Sequence, residues 1–248
     1  MSASFYKTLR QEFPFEPTTK QDIFFQMVAD FATNINPDEI FMLKGYAGTG
    51  KTTVISALVN ALPHINKKYV LLAPTGRAAK VISGYSGKLA QTIHRKIYFP
   101  KKGSGGGVMF TLMPNKHTNT IFIVDESSMI SDTGSESKFY ENGSLLDDLI
   151  EYVYLGKNCK LLLLGDTAQL PPVNSEISPA LDIDHLARSY GMNIPHIEFD
   201  EVMRQAETSG ILYNATQMRE LLNDDFIPGF KFDVSGFKDI IRLTDGYD

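Results

Sequence analysis

Three groups of residues in this 248-residue chain could do chemistry by their types and spacing. The first is the run Gly45-Tyr46-Ala47-Gly48-Thr49-Gly50-Lys51-Thr52-Thr53. Glycines at 45, 48 and 50 admit backbone angles that residues with a Cβ resist. Successive N–H groups can then converge on phosphate oxygens at a helix N-terminus, where the dipole also favours anions. Lys51 would bring a point charge to the β- and γ-phosphates, and Thr52 a hydroxyl for Mg²⁺. The second group is Asp125-Glu126, 74 residues beyond Lys51. Asp125 would hold Mg²⁺ directly or through water, and Glu126 would orient and deprotonate an attacking water. The third is Gly165-Asp166-Thr167-Ala168-Gln169-Leu170-Pro171-Pro172, in which the Gln169 amide can reach a γ-phosphate and sense its loss.

Each group needs an element to hold it. Ile40–Leu43 reads as a strand before the glycine loop, and Val54–Val59 as the start of a helix after it. That order is the context a phosphate-binding loop requires. Tyr69–Ala73, Ile121–Val124 and Leu161–Leu164 are further short apolar runs, and they end at Pro74, Asp125 and Gly165. Helical patterns fall between them, near 77–83, 92–97 and 145–155. Residues 18–33 form a capped amphipathic helix with Ile23, Met27, Val28 and Phe31 on one face. Short apolar strands alternating with helices predict an α/β fold: a mainly parallel sheet flanked by helices, of the P-loop NTPase type. In such sheets the ligand sits at the carboxyl ends of the strands, so the four loops should share one edge. Two β-prone runs, 97–99 and 108–110, flank a glycine loop and suggest a hairpin or an irregular surface loop.

Charge is unevenly distributed. The chain has a net charge of −5, yet residues 40–124 hold 12 of its 24 Lys and Arg and no Asp or Glu. Elsewhere 12 basic residues face 29 acidic ones. The basic stretch, with Lys67, Lys68, Arg77, Lys80, Lys88, Arg95 and Lys96, carries more charge than one nucleotide needs. It fits a polyanion, with Arg77 a candidate phosphate contact, or else a solvated basic face. No apolar run is long enough to span a membrane. One cysteine, Cys159, cannot form an internal disulfide and fits a reducing cytoplasm.

The runs GYAGTGKTT, APTGRAAK, TIH, VDESSM and GDTAQLPPV, with EVMRQ at 201–205, occur in an order that resembles superfamily 1 DNA helicases of the RecD-like, Dda-like branch. The resemblance covers about residues 18–225. It implies a RecA-like ATPase lobe that uses ATP and Mg²⁺ and takes single-stranded DNA as its track, moving 5′ to 3′. By the same resemblance Gln21 contacts adenine and Arg204 reaches the γ-phosphate from the hinge between lobes. Pro74, Thr75, Thr92 and His94 match positions that touch the DNA backbone, and Tyr98 and Phe99 open a segment where relatives carry a strand-splitting wedge. Small hydroxyls and a histidine suit phosphate contact without sequence readout, and exposed aromatic rings suit base stacking. His94 read by itself is equally a satisfied buried residue.

These readings place a RecA-like lobe at 1–195, with an insertion at about 97–119. The hinge and start of an incomplete second lobe follow at 196–248, with a short strand at Ile240-Ile241. Only 44 residues follow Arg204, too few for a second lobe. The chain is therefore expected to be a monomer that binds ATP and single-stranded DNA and is poor at unwinding alone. The competing expectation is a nucleotide-gated nucleic-acid-binding module without motor activity.

Overall fold

The computed structural model describes residues 1–102, 108–131, 144–169, 172, 177–200, 209–222 and 230–240. Its centre is a six-stranded sheet in the order β3-β2-β6-β7-β1-β8, with every pair parallel. The strands are β1 (Ile40–Gly45), β2 (Lys68–Ala73), β3 (Ala90–Thr92), β6 (Thr120–Val124), β7 (Lys160–Gly165) and β8 (His196–Phe199). A separate antiparallel pair, β4 (Tyr98–Lys102) and β5 (Val108–Leu112), forms the hairpin, registered Tyr98 to Leu112.

The central strands are buried on both faces, which is why they read as unbroken apolar runs. Along β1, Phe41 and Leu43 enter one core while Ile40 and Met42 enter the other. The first core is roofed by α1 (Ser2–Glu12), α2 (Thr19–Thr33), α3 (Lys51–Ala61) and α4 (Gly76–Ser86). Phe41 lies between Phe24 and Phe31, with ring centroids at 5.7 and 5.4 Å. The second core is covered by α5 (Ile93–Ile97), α6 (Leu145–Tyr154) and α7 (Ile183–Tyr190).

The structure departs from the sequence reading in places. In α2 the buried apolar residues are Phe24, Phe25, Val28, Ala29, Phe31 and Ala32, while Ile23 is exposed. Helix α1 went unread, although Phe5 and Leu9, four apart and both buried, are its helical signal. Strand β8, which follows the expected boundary at 195, pairs with β1 from Met42–His196 to Gly45–Phe199. Ile240 lies in no strand, and Ile241 falls outside the described residues.

At the opposite end of the sheet from the glycine loop, buried charge ties strands to helices. The Lys160 ammonium, 1% exposed, donates to the Phe31 carbonyl at 2.8 Å and lies 3.3 Å from the Glu39 carboxylate. Asn34 and Asn193 donate to the same carboxylate at 2.9 and 3.0 Å.

Candidate nucleotide site at the strand ends

The glycine loop is built as its residue types require. Gly48 and Gly50 take φ of 81° and 86°, the left-handed region that favours glycine. Gly45 is needed for a different reason: a Cβ there would lie 2.9 Å from Phe199 Cβ and 3.0 Å from the Phe199 carbonyl oxygen. Helix α3 starts at Lys51 behind Gly50, which supplies no capping side chain. Its first-turn N–H groups thus meet no side-chain acceptor at the cap, the arrangement that suits an anion. The Lys51 ammonium folds back onto the Gly45 carbonyl and, at 2.9 Å, the Tyr46 carbonyl.

The loop forms one wall of a cleft of about 1020 Å³. Ala47, Gly48, Gly50, Lys51, Thr52, Thr53, Asp125, Glu126 and Gln169 all line it, so three separate strand ends converge. Gly45 and Thr49 are buried behind the lining. Arg204 lies outside the described residues. Burial pushes the Asp125 carboxyl above its ordinary value, even though the Glu126 N–H donates to it at 2.9 Å. A buried carboxylate raised this way is one that a cation would relieve.

Glu126 has φ 56°, an uncommon conformation for a residue with a side chain. It lets the chain reverse at once after β6 into the short 3-10 turn Ser127–Met129. That turn is held from two sides. Ser127 donates to the Val124 carbonyl at 3.1 Å, and the buried Ser178 hydroxyl lies 3.0 and 2.8 Å from the carbonyls of Ser127 and Ile130. Ser128 donates to Gln169 Oε1 at 3.1 Å, joining the carboxylate pair to the third loop. Ser128 was missed as a site residue. Asp166 also lines the cleft, is 5% exposed, and accepts from the Ala168 N–H at 2.8 Å. Further cleft residues missed from sequence come from α1 and the turn after it (Glu12, Pro14, Phe15) and from α4 (Val81, Tyr85).

Gln21 does not line the cleft. It is 1% exposed, closes a capping box with Thr18, and donates from Nε2 to the Thr49 carbonyl at 3.1 Å. In this structure it ties helix α2 to the glycine loop.

The positions assigned to a nucleic-acid strand divide. Pro74 and Thr75 follow β2, Thr92 ends β3, and Ala73 is registered with Thr92, so these loops share the carboxyl edge. Thr75 and Thr92 each cap a helix, accepting from Ala78 and Arg95 N–H at 3.2 Å. Arg77 is exposed and His94 half-buried, its ring 5.8 Å from that of Tyr98. Tyr98 itself is 4% exposed and donates its hydroxyl to Asp148 at 2.5 Å, so its ring is not available for stacking on a base. Phe99 is 45% exposed and is available. Lys67 leaves the basic footprint: it is 8% exposed, and burial lowers its pKa.

The AAA domain family matches residues 26–224 of this chain. The chain belongs to that family. Among its relatives, the ATP-dependent RecD2 DNA helicase of Deinococcus radiodurans is 31% identical over 176 residues, covering 71% of this chain and 21% of the relative. The ATP-dependent DNA helicase dda of Enterobacteria phage T4 is 31% identical over 134 residues, covering 53% and 28%. The crystal structure of Pif1 helicase from Candida albicans aligns at a TM-score of 0.50 with 21% identity, covering 86% of this chain and 45% of that one, and shows the fold. This member of the AAA domain family is thus similar in sequence to RecD2 and dda helicases, and it has the P-loop NTPase fold. It spans 21% and 28% of the lengths of the two sequence relatives. Among the described residues, no helix is long and apolar enough to cross a membrane.

Proposed function

We propose that this chain forms the first, nucleotide-hydrolysing lobe of an ATP-driven DNA helicase that translocates along single-stranded DNA. The observation that carries the reading is the convergence of Lys51, Thr52, Asp125, Glu126 and Gln169 from three strand ends on one cleft. Lys51 exchanges its carbonyl partners for phosphate oxygens when a nucleotide enters. Among the described residues no group of three or more His, Cys, Asp and Glu is placed to hold a metal, so a cation would be shared by Thr52, Asp125 and the nucleotide. Bound Mg²⁺ supplies charge neutralisation of the transferring phosphoryl group. Glu126, which lines the cleft, takes the proton of the attacking water. Ser128 and Gln169 carry the change from the carboxylate loop to the third loop.

The strand lies across the same carboxyl edge, over Pro74, Thr75, Thr92 and His94, with Arg77 on a phosphate. Arg204 and the 5′ to 3′ direction follow from the resemblance to the RecD-like branch. Two relatives are named as ATP-dependent DNA helicases, which supports the assignment. The test is ATP hydrolysis with and without oligo-dT, in wild type and Lys51→Ala. Stimulation by DNA that the substitution abolishes is the expected result. ATP-dependent changes in DNA affinity without turnover would instead favour the nucleotide-gated binding module, and no ATP binding at all would refute both.

A further inference from the structure

A second hollow, of about 530 Å³, lies beside the hairpin and is unrelated to the nucleotide cleft. Lys96 at the end of α5, Phe99 in β4, Met113 after β5, Lys116 and His117 before β6, and Tyr152 of α6 line it. None of the described residues lining it is acidic. Lys96 and Lys116 form no ion pair among the described residues. Lys96 is half-buried, and burial alone lowers its pKa, with no carboxylate to offset it. His117 is likewise lowered, first by burial and then by the charges of Lys96 and Lys68. Two lysine ammonium groups and the His117 imidazole therefore bear on one concave surface whose described lining holds no acidic residue, beside the exposed Phe99 ring.

Uncompensated cations around a hollow favour an anion, and an exposed ring beside them favours a planar group attached to it. The position argues for a polymer over a free nucleotide. His117 precedes β6 whereas Asp125 follows it, so at least the length of that strand, roughly 17 Å, separates the hollow from the nucleotide cleft. Yet Lys96 shares the five-residue helix α5 with His94, directly after the Thr92 cap. A strand leaving the carboxyl edge at Thr92 would follow α5 onto Lys96 and Phe99.

We propose that this hollow is a second nucleic-acid subsite, seating a phosphate between Lys96, Lys116 and His117 and stacking the adjoining base on Phe99. It rests on the reading that the chain binds single-stranded DNA, and extends the track beyond the carboxyl edge to the base of the hairpin. Lys116 and His117 are 22 and 23 residues downstream of His94, on a loop whose sequence has no signal of its own.

The test is amide NMR of the full chain titrated separately with dT12 and with ATP, alongside fluorescence anisotropy of labelled dT12. With dT12, resonances of Thr75 and Thr92 and those of Phe99, Lys116 and His117 should all shift; with ATP alone the latter three should stay put. Lys96→Ala/Lys116→Ala should reduce the slope of log K against log salt by about 1.4, two single-strand phosphate contacts' worth. Phe99→Ala should weaken binding about tenfold without changing that slope. Shifts at Thr75 and Thr92 with none at the hollow would overturn the subsite and leave the proposed function standing. Shifts at the hollow with ATP alone would make it a nucleotide site and overturn the strand assignment. No dT12-induced shift anywhere would overturn both.

Discussion

Replacing Gln21 by Ala separates two roles for this residue, contact with adenine and attachment of the glycine loop. The side chain closes the Thr18 capping box, accepting from the Thr18 N–H at 3.1 Å, and donates to the buried Thr49 carbonyl at 3.1 Å. Loss of the reciprocal cap costs about 0.5–1 kcal/mol. Leaving the Thr49 carbonyl buried without its donor costs about 1–3 kcal/mol. Together these give about 1.5–4 kcal/mol, or a fall in melting temperature of about 3–16 °C for a domain of this size. Gln21→Glu should be at least as damaging, since it keeps the cap acceptor but sets a carboxylate against the Thr49 carbonyl. The assay is thermal unfolding without nucleotide, followed by ATP and GTP affinity for each variant. An unchanged melting temperature together with lost preference for ATP would refute the attachment role and return Gln21 to the base.

Glu126→Gln should retain ATP binding and lower turnover by about 10²–10⁴-fold, measured as single-turnover phosphate release; unchanged turnover would remove Glu126 as base. Asp125 is raised by burial, so the folded state holds its proton more tightly than the unfolded one and its burial weakens the fold as pH rises above about 4. Asp125→Asn should therefore gain thermal stability over wild type as pH is raised through that window, in the absence of nucleotide and Mg²⁺; a difference independent of pH would contradict the assigned cause. Lys160→Met should cost about 3–5 kcal/mol by leaving Glu39 buried without its cation, and Lys160→Met/Glu39→Gln should recover much of it in denaturant unfolding.

Much of the site was legible because its information is local. A strand buried on both faces reads as an apolar run, so Ile40–Leu43, Ile121–Val124 and Leu161–Leu164 are visible without partners, and the polar residue ending each is a cleft candidate. The glycine loop is equally local, since Gly48 and Gly50 answer to their own φ angles. The hairpin, too, is recorded in two short β-prone runs around glycines. Helix α1 was passed over because only Phe5 and Leu9 of its residues are fully buried, too few to stand out from a polar segment. The pairing of strand β8 with β1 was not visible, because register across about 150 residues leaves no trace in either segment.

The sequence by itself determined the phosphate loop, the carboxylate pair, the parallel sheet and the edge on which they meet, because each rests on backbone preferences or on a periodicity of a few residues. Only the tertiary structure decided what each exposed-looking polar or aromatic residue faces. Gln21 turns inward to Thr49, Tyr98 is spent on Asp148, Lys67 is buried, and Ser128 reaches Gln169. The physical reason is that a side chain's availability depends on which distant element packs over it, and residue type and spacing do not carry that.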